Sequence, residues 1–169
     1  MKKWPIVLAL LFITTACDQG TKYLAVEHLA GEGRISMAGD VFRLQYSENT
    51  GAFLSMGSNL PEPVRKTIFT GLVALILAGF LVYILKSDAL NRMSVIAGGL
   101  MVGGGLGNLI DRVFNDGAVV DFLNLGIGSI RTGIFNVADM SIMLGLFLFL
   151  IAGREESKKS EEKPMEAEG

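Results

Sequence analysis

Cysteine, histidine and tryptophan occur once each in this chain of 169 residues, and proline four times. The single cysteine, Cys17, excludes an internal disulfide and any cluster of cysteine ligands. The single histidine, His28, excludes a histidine-rich zinc site. A Ser-His-Asp triad would have to use it, and no Gly-x-Ser-x-Gly elbow accompanies it. Charge is scarce too: Asp, Glu, Lys and Arg make up 19% of the residues and the net charge is −2, so nothing draws the chain as a whole to nucleic acid. In their place stand apolar residues, at 50%, and 21 glycines. That balance is unusual for a soluble domain and suits packed membrane helices. The length is that of one domain.

Four apolar runs organise the chain. The first follows Lys2 and Lys3 and ends in Thr14-Thr15-Ala16-Cys17, which imitates a secretory signal with a lipoprotein cleavage box. Three further runs argue against a soluble lipoprotein. A helix continued through Asp18, Lys22 and Val26 reaches the roughly 20 residues a span needs. Asp18 and Lys22 then sit four apart on one face, acid before base, the better order for an ion pair. This pair either neutralises two charges at the outer end of the helix or meets substrate directly. The expected spans are residues 4–27, 67–85, 93–110 and 136–152. In the third, Gly99, Gly103 and Gly107 fall four apart, a stripe that lets a neighbouring backbone approach closely. A mixed-charge tail over 154–169 is expected to be disordered.

The loop from His28 to Lys66 holds an alternating stretch, Val41–Tyr46, with Phe42, Leu44 and Tyr46 on one face, which predicts a half-buried strand. After the turn signal Asn49-Thr50-Gly51, a second strand over Ala52–Met56 would complete a hairpin, the only good hairpin candidate in the chain. The turn alone accounts for Asn49 and Gly51, because both tolerate positive φ. Lys2, Lys3, Lys86, Arg92, Arg154, Lys158 and Lys159 all fall at the ends that four spans would place on one side, so both termini are expected in the cytoplasm. The loops around Asn49 and Asp121 then face outward.

The polar residues beside the apolar runs gather in a few places. Asn108, Asp111 and Arg112 share a face at the end of the third run, where Asp111 and Arg112 are expected to mark the membrane edge and Arg112 complements the helix dipole. Asp121 sits inside the apolar Val119-Val120-Asp121-Phe122. Asn136 and Asp139 open the fourth run, three apart, as an N-cap and its partner would. Charges at membrane depth pair, line a cavity or do chemistry. Paired carboxylates are one such chemistry: close together they cannot both ionise cheaply, so one keeps a proton and the other can activate water.

Five blocks resemble those of the lipoprotein signal peptidases, the type II signal peptidases of bacteria: Asp18-Gln19-x-Thr21-Lys22, Asn49-Thr50-Gly51-Ala52, Gly107-Asn108-x-x-Asp111-Arg112, Val119-Val120-Asp121-Phe122 and Phe135-Asn136-x-Ala138-Asp139. They follow the family's order and cover nearly the whole chain. The resemblance implies Asp121 and Asp139 as the catalytic pair, with Asp18, Lys22, Asn49, Gly51, Asn108, Arg112, Asn136 and Ala138 around them. It implies an all-α membrane protein, a four-transmembrane-helix bundle over residues 1–153 with a small extracytoplasmic β element from the first loop. The implied substrate is a diacylglyceryl-modified prolipoprotein, cut before its lipidated cysteine at the outer face of the bacterial inner membrane. No metal or other cofactor is expected, and no partner beyond substrate and membrane lipid; the chain is expected to be a monomer. Phe53 departs from the family's small residue and bears on the packing of the extracytoplasmic flap. The rivals are a small transporter or proton-relay subunit, a non-catalytic membrane scaffold, and a lipoprotein precursor carrying lipid on Cys17.

Overall fold

A computed structural model describes residues 2–51, 59–61, 63–64 and 67–166. The chain runs α1 (Lys3–Leu29), β1 (Ile35–Met37), β2 (Phe42–Asn49), a π-helical stretch (Thr67–Leu72) leading into α2 (Val73–Lys86), α3 (Arg92–Phe114), β3 (Val119–Ile127), β4 (Ile130–Arg131) and α4 (Val137–Glu166). The protein is mostly helical with one small antiparallel sheet. Among the described residues two helices, α3 and Val137–Arg154 within α4, are long and apolar enough to cross a membrane, and Thr70–Lys86 is a shorter apolar helix. In α1, the polar run Asp18, Gln19, Lys22 lowers the hydropathy of an otherwise apolar helix. α4 continues as helix to Glu166, through the stretch expected to lack structure; its Glu and Lys residues are strong helix formers.

α3 is the central helix. Its start is fixed by Asn91, whose side chain accepts the Ser94 N–H at 2.8 Å. Its glycines then admit neighbours on three sides. A Cβ at Gly103 would lie 1.9 Å from the Thr14 hydroxyl, and one at Gly107 would lie 2.4 Å from an Asp18 carboxylate oxygen, so the 99-103-107 stripe faces α1. Gly98 and Gly105 face Ile84 and Leu77 of α2, and Gly104 faces the Ala138 carbonyl of α4. The Thr15 hydroxyl reaches the Gly103 carbonyl at 3.2 Å, a contact possible only at this close approach. At the other end of the bundle, the Lys3 ammonium donates to the Ser87 carbonyl, tying the start of α1 to the α2–α3 connection.

The sheet has the order β1-β2-β3-β4, all antiparallel. It draws β1 and β2 from the first loop, where a β element is expected, and adds β3 and β4 from the segment between α3 and α4. The hairpins are β1–β2 and β3–β4; the second strand expected over 52–56, and Phe53 with it, lies outside the described residues. Positive φ at Ala38 (52°), Gly39 (65°) and Asp40 (70°) turns the first hairpin, and Gly128 (58°) turns the second. A register shift between Leu44 and Ser47 interrupts the β2–β3 ladder. It sends Tyr46 to the face opposite Leu44, where strict alternation had put them together. The sheet joins the bundle through Leu44, Tyr46 and Leu123, which pack on Ala25, Leu29, Val120 and Phe122.

The approach of Gly104 to backbone sets a stability prediction. In Gly104→Val the added Cβ would stand 2.5 Å from the Ala138 carbonyl, a backbone atom that cannot swing away. Overpacking of this kind costs about 1–3 kcal/mol, so the thermal midpoint in detergent is expected to fall. Gly20→Ala, where nothing lies within 4 Å of the new methyl, is expected to hold or raise it, because alanine is the better helix former by about 1 kcal/mol.

Candidate active site

The end of α3 and the starts of β3 and α4 converge on the side of α1. Asn136 caps α4: its side-chain oxygen accepts the Asp139 N–H at 2.9 Å, and Asp139 Oδ2 accepts the Asn136 N–H at 3.1 Å. This is the reciprocal bonding of a capping box. Capping does not exhaust either residue. The Asn136 amide nitrogen also donates to Asp121 Oδ1 at 2.7 Å, to Asn108 Oδ1 at 3.1 Å and to the Val120 carbonyl at 3.3 Å. Asp139 Oδ1 accepts from the Asn108 amide at 2.9 Å. One fully buried asparagine thus holds an acid of β3 and an acid of α4 beside each other.

Asp121 is buried, and its second oxygen accepts from Asn49 of β2 at 3.1 Å. Burial, and next the charge of Asp139, push its carboxyl up to about 7; the bonds from Asn49 and Asn136 pull the other way. The Asn49 oxygen accepts the Gly51 N–H at 3.1 Å, so the Asn-x-Gly turn orients the very amide that reaches Asp121. The Gly51 carbonyl accepts from Arg112 Nη2 at 3.2 Å, and Arg112 Nη1 reaches the Asn108 carbonyl at 3.2 Å. Arg112 Nε is the one buried side-chain nitrogen or oxygen without a hydrogen-bond partner among the described residues.

Beneath the pair lies a buried ionic cluster. The Lys22 ammonium contacts Asp18 Oδ2 at 2.8 Å, Asp111 Oδ2 at 3.0 Å and Asn108 Oδ1 at 2.8 Å. An ammonium has three protons to give, so all three are engaged. The Asn108 oxygen, held by Lys22 and Asn136, leaves its NH2 facing Asp139. Asp18 Oδ1 accepts the Ala138 N–H at 2.9 Å, fastening the first turn of α4 to α1. Both Asp18 and Lys22 are buried, and they hold the groups that hold the acids.

All ten residues singled out from the sequence fall in this region. Asp111 belongs with them. Asp111, expected to mark a membrane edge, is 3% exposed. It pairs with Lys22, accepts the Val120 N–H at 2.9 Å, and accepts Gln19 Nε2 at 2.8 Å. It therefore clips β3 to α3 one residue before Asp121. Spacing carried the signal: Gly99, Gly103, Gly107 and Asp111 are one four-residue series, and Leu10, Thr14, Asp18 and Lys22 are its counterpart on α1. Among the described residues no three His, Cys, Asp or Glu side chains are placed to hold a metal ion.

The family model for signal peptidase II matches residues 10–153. The lipoprotein signal peptidase of Borrelia hermsii is 37% identical over 146 residues, covering 83% of this chain and 85% of its own length. That of Thermodesulfovibrio yellowstonii is 36% identical over 140 residues, covering 83% and 88%. A solved structure described as a bacterial membrane enzyme superposes with a TM-score of 0.77 at 27% identity, covering 90% of each chain. A second, described in the same terms, gives 0.74 at 29% identity, covering 86% of this chain and 90% of its own. A match across most of the chain in sequence and in fold leaves one assignment: the chain belongs to the signal peptidase II family, and it is a peptidase.

Proposed function

We propose that this peptidase removes the signal peptide from diacylglyceryl-modified prolipoproteins, cutting before the lipidated cysteine, with Asp121 and Asp139 as its catalytic pair. The observation that carries this reading is the bridge through Asn136, which sets the two carboxylates together with Asp121 pushed up to about 7. In this reading α1, the helix over Thr67–Lys86, α3 and α4 span the inner membrane of a bacterium. Both termini are cytoplasmic, and the sheet and the carboxylates lie at the outer interface, where the acyl chains of the substrate stay in lipid. The Lys3–Ser87 bond supports the topology, since it puts the start of α1 beside the α2–α3 connection.

The chemistry follows from the proton count. Near neutral pH the pair keeps one proton, on Asp121. Asp139 takes a proton from a water held between them, and the oxygen attacks the scissile carbonyl carbon. Asp121 hydrogen-bonds the carbonyl oxygen as its charge develops. The tetrahedral intermediate collapses with transfer of the proton from Asp139 to the departing amine. Arg112 Nε, without a hydrogen-bond partner among the described residues, is a donor for a carbonyl of the substrate backbone.

Four outcomes test the reading, measured as cleavage of a lipidated prolipoprotein peptide by purified protein. Asp121→Asn and Asp139→Asn each abolish cleavage while the protein still purifies as a single folded species; full processing by either would rule out the pair. EDTA leaves activity intact, and a loss restored by zinc would rule out a metal-free reaction. Because Asp121 must keep its proton, kcat/KM falls as pH rises through about 7. Asn49→Ala removes a bond that favours the ionised form, so it moves that alkaline limb to higher pH. Asp111→Ala frees β3 from α3, and misplacing a reacting group by an ångström costs on the order of 10²-fold in rate. The expected loss is in kcat, with KM little changed; Asp111→Asn, which keeps an acceptor for the Val120 N–H, loses less.

A further inference from the structure

The sheet is two-faced. Cross-strand partners share a face, and the register puts Ile35 beside Leu44, Met37 beside Phe42, Phe42 beside Leu125, and Ile127 beside Ile130. One face is therefore apolar from β1 to β4. The opposite face carries Ser36, Arg43, Asn124 and Arg131, and its polar groups are engaged. Arg131 Nε donates to Asn124 Oδ1 at 2.6 Å and Nη1 to the Asp40 carbonyl at 2.8 Å, while Arg43 pairs with Asp40. The inner end of the apolar face is covered, because Leu44 and Leu123 pack against the helices. Its outer end is uncovered among the described residues: at the tip of the β3–β4 hairpin Ile127 is 77% exposed and Ile130 is 83% exposed.

A half-buried antiparallel sheet needs something on its apolar side. We propose that membrane lipid supplies it, with the hairpin tip Ile127-Gly128-Ser129-Ile130 set into the outer leaflet as an anchor separate from the spans. Continuity argues for lipid. Phe135, the residue before the Asn136 cap of α4, bonds both ways to Leu123 at 2.8 Å, so β3 leaves the bundle at the level where an apolar, membrane-length helix begins. From there Leu123, Leu125 and Ile127 point to one side, along a strand rising about 3.3 Å per residue. A hairpin tip that pairs two exposed isoleucines is suited to enter a soft phase. Such apolar surfaces settle about 5–10 Å into the boundary between headgroups and acyl chains. Arg43 and Arg131, on the other face, are then kept away from the acyl chains by their bonds to Asp40 and Asn124. The anchor would hold the plane of the sheet, and with it Asp121 at the inner end of β3, at fixed depth relative to a lipidated substrate.

This inference rests on the membrane placement proposed above, and the experiment separates the two. The sole tryptophan, Trp4, is replaced by Phe. In that background Ile127→Trp and Ile130→Trp report from the tip, and Phe147→Trp reports from the middle of α4. Each protein is reconstituted in phosphatidylcholine–phosphatidylglycerol vesicles containing phosphatidylcholine brominated either near the headgroup or deep in the chain. The tip tryptophans are expected to emit at short wavelength, to lose most of their emission to the shallow bromines, and to resist aqueous iodide. Emission at long wavelength quenched by iodide overturns the proposal, and so does short-wavelength emission insensitive to both quenchers, which would mean that protein covers the tip. Phe147→Trp is expected to be quenched by the deep bromines. If it is and the tip is not, the anchor alone is wrong; if it is not, the membrane reading falls and the anchor falls with it.

Discussion

Everything in the site leans on one buried ammonium. Lys22 lies between two carboxylates and an amide oxygen, with all its protons engaged. A charge taken out of water is tolerable only when paired and hydrogen-bonded, and here each partner has a second task. Asp18 fastens the first turn of α4, Asp111 fastens β3, and Asn108 presents its NH2 to Asp139. The cluster thus converts the position of α1 into the positions of both acids. Removing the lysine would leave two carboxylates buried without a cation, so its loss is felt by helix packing and by the site together.

That cluster exists because two helices come unusually close. On α3 the residues facing α1 are Gly99, Gly103, Gly107 and then Asp111; on α1 they are Leu10, Thr14, Asp18 and Lys22. Glycine at three successive turns removes the side chains that would hold the axes apart. Where the stripe ends, the charges begin. Packing and chemistry are consecutive turns of the same helix face, and for this reason the glycines are part of the site although none touches the acids.

The helices were legible in the sequence because apolar runs of spanning length leave few alternatives, and the polar residues were legible because charge beside such runs is conspicuous. The sheet was read only in part. β2 showed through its alternation, but β3 reads Val-Val-Asp-Phe-Leu-Asn-Leu, with apolar residues on both faces of its first half, because that half is buried on both sides. Period two fails as a signal there. β4 has two residues and no period at all. The register shift after Leu44 inverted the face expected for Tyr46, which no local pattern announces. Asp111 went unassigned for a different reason. Its place near a helix end suited a surface charge, and only its continuation of the glycine stripe distinguished it.

Asn136 joins two events. The same side chain closes the amino end of α4 and holds the Asp121 carboxylate beside Asp139. Until the last helix has docked and its first turn has wound, no such pair is present. Under the proposed mechanism the reacting pair forms only once α4 has packed, so a molecule whose last helix is undocked would lack the arrangement that cleaves peptide.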